Sequence, residues 1–224
     1  MTMPLAFDEN GIDDEDGPLR ALPDGPDRVR IHAAPHPVDL PAAERAGRAF
    51  LRALGIETDA ADAPDLARTP HRFAAAYAEL LSPEPFDFTT FPNREGYDEM
   101  VLVRDIPVRS LCEHHLLPFT GIAHVAYLPA DRVVGLSKIP RLVDHCACRP
   151  QTQERLTVEI AEALAGHLQP RGVGVIVEAV HSCMTLRGAR AAGTATSTSA
   201  VRGALREDAR SRAEFFALVD GRTR

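Results

Sequence analysis

The amino-acid sequence predicts an α+β domain, and three observations carry that reading. Two strand-like stretches, Met100–Val108 and Gly121–Leu128, lie close together. Two segments of helical periodicity follow, and after them a second strand pair, Gly172–Val180 and Thr194–Leu205. Two hairpin-like pairs with helices packed on one face make a four-stranded antiparallel sheet. Such a sheet leaves two edges exposed, and joining edges between copies of the chain is a natural remedy.

The elements follow in order. Residues 1–38 carry eight acids against three arginines and six of the eighteen prolines, including the run Asp13-Asp14-Glu15-Asp16. They read as a disordered acidic, proline-rich tail, because low hydrophobicity and high charge leave little apolar surface to offset chain entropy. The folded domain is then 39–224, with N-terminal helices in 39–98 and the sheet core in 99–224. A first helix should follow Asp39, with Pro41 in its first turn, Gly55 as its stop and an apolar stripe of Ala46, Ala49, Phe50, Ala53 and Leu54. A second opens at Thr69-Pro70, a cap followed by a first-turn proline, and buries Phe73, Tyr77 and Leu80/Leu81. Residues 82–98 hold Pro83, Pro85, Pro92 and Gly96 and read as a loop. After the first strand pair, Val133–Leu136 is a short continuation. Ser137 then caps a helix with Ile139, Leu142, Val143 and Cys146 inward, and Pro150 ends it. A longer helix spans about 151–168, with Leu156, Ile160, Ala163 and Leu164 inward. The last helix opens on a capping box, Ser211 to Glu214.

Bulk properties narrow the function. The net charge of −7 disfavours a nucleic-acid-binding surface. No apolar run is long enough to span a membrane. The N-terminus lacks a secretory pattern, so a cytoplasmic location is expected. In a reducing compartment the four cysteines read as ligands, catalysts or core residues rather than disulfides.

Cys112-Glu113-His114-His115 and His181-Ser182-Cys183 carry the chemistry. Two thiolates and an imidazole, on Cys112, Cys183 and His115, are ligands zinc takes when its fourth position stays open for water. The spacing Cys-x-x-His is by itself equally compatible with thiols buried as hydrophobes; the second cluster tips the balance toward metal. His114 and His181, next to the ligands, are candidates for moving protons. Cys146 and Cys148, two apart on a helix, do not face one another and read as core or surface thiols. Gly135-Leu-Ser-Lys138 places a hydroxyl, a lysine and free N–H groups at a helix start, a setting that attracts anions, with Arg141 one turn on. Arg187 follows Cys183 by four residues. Each of these cations taken singly is compatible with a solvated surface charge. Gln153-Glu154 opens the long helix; alone, a first-turn acid favours the helix dipole and does not imply a base.

Four stretches in one order resemble the GTP cyclohydrolase I family: Ser110-Leu-Cys-Glu-His-His115, Gly135-Leu-Ser-Lys138, Arg149-Pro-Gln-Thr-Gln-Glu-Arg-Leu156 and Glu178-Ala-Val-His-Ser-Cys183 with Arg187-Gly188. The resemblance runs from about Thr69 to Phe216. It implies a tunnelling fold, in which subunits pair edge to edge into a ring-shaped barrel, as a homodecamer of two facing pentamers with active sites between subunits. It implies zinc on Cys112, His115 and Cys183, guanine read by Gln153 and Glu154, and ribose and triphosphate held by Ser137, Lys138, Arg141 and Arg187. Arg72, in Thr-Pro-His-Arg, is a further triphosphate candidate. The implied reaction is zinc-assisted hydrolytic opening of the GTP imidazole ring. His181 protonates N7, His114 orients or relays a proton, C8 leaves as formate, and Ser137 passes protons as the ribose rearranges to 7,8-dihydroneopterin triphosphate. That product feeds folate or another pterin pathway. A paralogue making the same product for a deazapurine metabolite, and a non-catalytic zinc protein that binds purine nucleotides, are the competing readings.

Overall fold

The computed structural model describes residues 27–31, 38–59 and 63–221. Strand β1, Asp27–Ile31, is followed by helix α1, Leu40–Ala53. The Asp39 carboxylate caps α1, accepting from the Ala42 N–H at 2.9 Å. A single 3₁₀ turn, Pro64–Leu66, leads into α2, Thr69–Leu80, whose cap position is Arg68 rather than Thr69. Strand β2, Phe86–Pro92, then precedes β3, Val101–Cys112, β4, Pro118–Leu128, and β5, Arg132–Val134. Helix α3, Lys138–Ala147, the two-residue β6, Pro150–Gln151, and helix α4, Gln153–Leu168, follow. The chain closes with β7, Gly172–His181, the one-turn α5, Ser182–Thr185, β8, Thr196–Gly203, the short α6, Ala204–Glu207, and α7, Ala209–Asp220.

The main sheet has five strands in the order β6-β3-β4-β7-β8, not four. Its four long strands are antiparallel, and β6 adds a parallel pairing at Leu111 and Cys112. A second sheet, β1-β2-β5, was not expected. Strand β2 lies in the stretch read as a loop; its prolines flank the strand or end it, and Phe86 and Phe88 alternate into the core. Strand β1 lies within residues assigned to the tail; residues 1–26 and 32–37 of that tail fall outside the described residues.

The expectation of helices on one face also needs correction. Helices α3 and α4 bury Ile139, Leu142, Leu156, Ile160 and Leu164 against Val125, Tyr127, Val173, Val175 and Val177. The opposite face, through Ala126, Leu128 and Ile176, packs on Phe215 and Val219 of α7. Strand β7 is therefore buried on both faces. Gly174 makes room for Phe215, whose ring lies 2.8 Å from where a Cβ would stand. Helix α7 is capped by Asp208, which accepts from the N–H groups of Arg210 and Ser211; Ser211 is inside the helix and the expected capping box is not the cap.

Helix α1 departs from expectation as well. Gly47 and Leu51 are its buried residues, whereas Phe50 and Leu54 are 55% and 61% exposed. The absent side chain at Gly47 lets the Phe73 ring of α2 approach to 3.0 Å of a would-be Cβ, and that close packing sets which side of α1 faces inward. Phe73, Tyr77, Leu80 and Leu81 are half-buried beneath it.

Candidate metal centre and surrounding site

The metal-ligating candidates meet at one end of the main sheet. Cys112 is the last residue of β3, and residues 113–117 turn back into β4. The turn is closed by the backbone: Cys112 N–H donates to Leu117 O at 2.8 Å, and Leu116 N–H to Cys112 O at 2.7 Å. Leu116 adopts φ +53, a region a non-glycine residue rarely occupies, so the turn is held against local strain. Tyr77 of α2 helps hold it, its hydroxyl donating to Leu116 O at 3.1 Å. Cys183 stands in α5, at the end of β7. The register that pairs Phe119 with His181 brings the two chain segments together.

The Sγ atoms of Cys112 and Cys183 are 3.9 Å apart, and these atoms and a ring nitrogen of His115 lie within 4.8 Å of one another. Two thiolates bound tetrahedrally at Zn–S lengths near 2.3 Å would be separated by about 3.8 Å, so the donor set fits a zinc ion. Cys112 is buried and His115 exposed, which leaves one side of the group open. Burial and the neighbouring Cys112 raise the Cys183 thiol above its ordinary pKa, with Arg187 opposing. Two thiolates this close repel, and a cation between them removes the penalty.

His114 is exposed, with Nδ1 3.9 Å from the Cys112 Sγ. His181 is half-buried and stacks on Phe119, ring centroids 4.5 Å apart at an interplanar angle of 11°. Burial lowers its pKa, and the Glu154 carboxylate partly offsets this. Glu154 is exposed in the first turn of α4, and Arg187 is exposed in the loop after α5. Gln153, also grouped with these residues by sequence, is turned inward: it is 2% exposed and its amide is bonded to the sheet and to His181.

Apart from Arg187, the anion-binding candidates lie elsewhere in the same chain. Ser137 is at the cap position of α3 but its hydroxyl makes no capping bond. Lys138 lies near Asp87, whose carboxyl is held below its usual range by its bond to Arg30, with Lys138 adding to the effect. Arg141 faces Glu84 and Asp144 across a pocket of about 150 Å³. The far end of α3 meets the metal end of the sheet, where Ser110 Oγ donates to Ala147 O at 2.6 Å. Nine residue steps of helix, about 14 Å, separate that point from Lys138. Arg72 is exposed on α2. Cys146 and Cys148 lie outside the Cys112-His115-Cys183 group; burial pushes the first thiol up to about 12 and the second, with Asp144 beside it, up to about 11.

Sequence reasoning missed the braces of this site. Arg155 pairs with Glu113, between the ligands, and donates to Gln151 Oε1 at 2.7 Å and to Pro150 O at 2.8 Å. Gln151, fully buried, donates to Glu159 at 2.6 Å, and Glu159 also pairs with Arg149. An arginine, a glutamine and a glutamate at fourfold spacing along 151–159 was the available signal.

Fold and site together define the class: an α+β protein with a Cys-His-Cys group able to hold a metal ion, and two more histidines beside it. The chain belongs to the GTP cyclohydrolase I family, whose model matches residues 43–220. It is 51% identical over 194 residues to GTP cyclohydrolase 1 of Thermobifida fusca, covering 84% of this chain and 92% of that one. It is 50% identical over 191 residues to GTP cyclohydrolase 1 of Rhodopirellula baltica, covering 84% and 82%. Among solved structures, the archaeosine synthase QueF-Like in its apo form aligns with a TM-score of 0.39 at 20% identity, over 46% of this chain and 93% of that one. Among the described residues no helix is long and apolar enough to cross a membrane.

Proposed function

We propose that this chain is a zinc-dependent cytoplasmic enzyme that opens the imidazole ring of GTP, releases C8 as formate and yields 7,8-dihydroneopterin triphosphate for folate or pterin synthesis. The observation that carries the reading is the convergence of Cys112, His115 and Cys183 with one side open, in a chain of this family. Zinc held by these three residues would supply a water acidified toward neutrality, able to add at C8. The remaining work falls to the chain. His181 donates a proton to N7, which makes C8 electrophilic and favours ring opening. His114, exposed beside Cys112, relays a proton to the opened ring. Glu154 accepts from the N1–H and exocyclic amine of guanine, and its place in the first turn of α4 leaves its carboxylate exposed for that role. A second water releases formate.

Ribose and triphosphate require Ser137, Lys138, Arg141 and Arg187, with Arg72 as a further cation. Along β4, Phe119 pairs with His181 while Leu128, shortly before β5 and α3, pairs with Gly172. Nine residue steps of strand, about 30 Å, lie between. Lys138 and Arg141, at the start of α3, stand off the metal end of their own chain, which favours a neighbouring copy as their source. Strand β8 and most of β3 carry no further strand on their outer sides among the described residues. We therefore infer edge-to-edge assembly into the tunnelling-fold barrel, with sites between subunits in a decamer.

The test is to incubate purified protein with GTP, with and without a chelator, and to assay formate and, after oxidation, a fluorescent pterin. Both products are expected from zinc-replete protein, and both should vanish on chelation. Neither product from zinc-replete protein would leave a nucleotide-binding role only.

A further inference from the structure

We infer that Gln153 is a positioning residue that fixes the tautomer of His181, so that Nδ1, not Nε2, is the nitrogen presented to the substrate. The hydrogen bonds around Gln153 leave one consistent set of directions. Its Nε2 lies 3.0 Å from Val177 O, 2.8 Å from Thr196 O and 3.2 Å from Thr198 Oγ1. Two of these partners are backbone carbonyls, which only accept, so the NH₂ end of the amide must face the sheet. A flipped amide would set its oxygen against both carbonyls.

The threonines close the argument. Thr157 Oγ1 donates its one hydrogen to Gln153 O at 2.7 Å. The 2.6 Å contact between Thr157 and Thr198 hydroxyls is then donated by Thr198, which leaves a lone pair of Thr198 Oγ1 facing the Gln153 amide, able to share one of its two N–H groups in a bifurcated bond. With the amide so oriented, Gln153 Oε1 faces His181 Nε2 at 2.9 Å. A carbonyl oxygen cannot donate, so the hydrogen in that bond sits on His181 Nε2. The neutral ring carries its lone pair on Nδ1, which takes up a proton from water before passing that proton to N7 of the substrate. The Phe119 stack fixes the plane of the ring, and the Gln153 bond fixes its rotation within that plane.

The tautomer assignment stands on hydrogen bonding alone; its consequence for turnover rests on the proposed role of His181. Gln153, 2% exposed and fully bonded, then has no amide group left for guanine, and Glu154 reads the base without it.

Two measurements decide it. The first is solid-state nitrogen NMR of zinc-replete, full-length protein labelled with ¹⁵N-histidine, with the His181 signals assigned by difference against His181→Asn. A protonated Nε2 and an unprotonated Nδ1 are expected; a protonated Nδ1 with bare Nε2 overturns the inference. The second is steady-state kinetics of Gln153→Met, which keeps the length but removes the amide. A loss of kcat on the order of 10- to 100-fold is expected, a part of what a positioned acid contributes. KM for GTP and the preference for GTP over ITP, which lacks the exocyclic amine, should stay at wild-type values. A raised KM with a lost preference for GTP would make Gln153 a base reader and overturn the inference. If Gln153→Met fails to fold, the spectrum of the wild-type protein still decides. If wild-type protein does not turn GTP over, the proposed activity fails while the tautomer is still tested.

Discussion

Replacing Arg155 with alanine is predicted to weaken binding of the proposed zinc ion by about 10- to 100-fold, the usual scale for losing an outer support of a metal ligand. The magnitude can be worked from the bonds that disappear. Arg155 pairs with Glu113, one residue after Cys112 and two before His115, and bonds Gln151 Oε1 at 2.7 Å. The side chains of Arg155 and Glu113 are 30% and 31% exposed, so solvent screens their attraction. That pair contributes about 1 kcal/mol or less. The larger loss is at Gln151, which is fully buried: its carbonyl oxygen would be left without a donor, costing roughly 1–3 kcal/mol. Gln151 also accepts, through its backbone oxygen, the Glu113 N–H at 3.0 Å, so a displaced Gln151 moves the turn that carries two ligands.

Together these terms come to about 1–4 kcal/mol, a range that covers one to two decades of affinity if the metal-free turn relaxes and must be rebuilt on binding. The assay is a zinc competition titration against a chromophoric chelator. Arg155→Lys keeps the charge but not the planar fork, and is expected to fall between wild type and alanine. Glu113→Gln leaves Gln151 bonded and should cost little, about fivefold at most. An unchanged affinity in Arg155→Ala would refute the reasoning and leave the Leu116 turn and the Tyr77 bond as sufficient support.

Three further outcomes are expected. Gly121→Ala should unfold or strongly destabilise the chain, because its Cβ would stand 1.9 Å from Glu178 O and 2.6 Å from Ala179 Cα; a loss at or beyond the upper end of the usual 1–3 kcal/mol for overpacking is predicted, since backbone cannot rotate away, and an unchanged thermal midpoint would contradict the strand register. His145 and His167 both have pKa values lowered, chiefly by burial. The unfolded chain therefore binds protons that the folded one refuses, so stability is complete above about pH 6.5 and falls below it. Denaturant midpoints from about pH 7.5 to about 5.5 should drop, and the drop should shrink in a His145→Gln, His167→Gln double variant; an identical slope would assign the effect to other groups. Phe50→Asp, on the exposed face of α1, should leave the single-chain fold intact while lowering the assembled mass by sedimentation. An unaltered assembly would remove that face from any contact between copies.

What the sequence disclosed, and what it hid, follows from the range of the interactions. Helices α3 and α4 were legible because each buries a complete stripe, and a period of 3.6 residues is a local property. The Cys-His-Cys group that could hold a metal ion was legible because Cys112 and His115 announce their chemistry within one turn, and Cys183 sits in a second cluster of the same kind. The stripe on α1 was read correctly as apolar but assigned inward, because the deciding contact, Gly47 against Phe73, lies between helices. Strand β2 was hidden by its own prolines, which mark its ends rather than break it. Gln153 shows the limit most sharply. The family resemblance implies a shared role at the base for Gln153 and Glu154; consecutive helical residues point about 100° apart, and here one faces solvent while the other faces the sheet. The register pairing Phe119 with His181, and Val177 with Thr198, decides which acceptors surround that inward amide. A shift of one residue would send every side chain of β7 to the other face and take His181 out of reach. The direction of a proton on one imidazole thus depends on a pairing spread across three strands, and that pairing is not written in the neighbourhood of either residue.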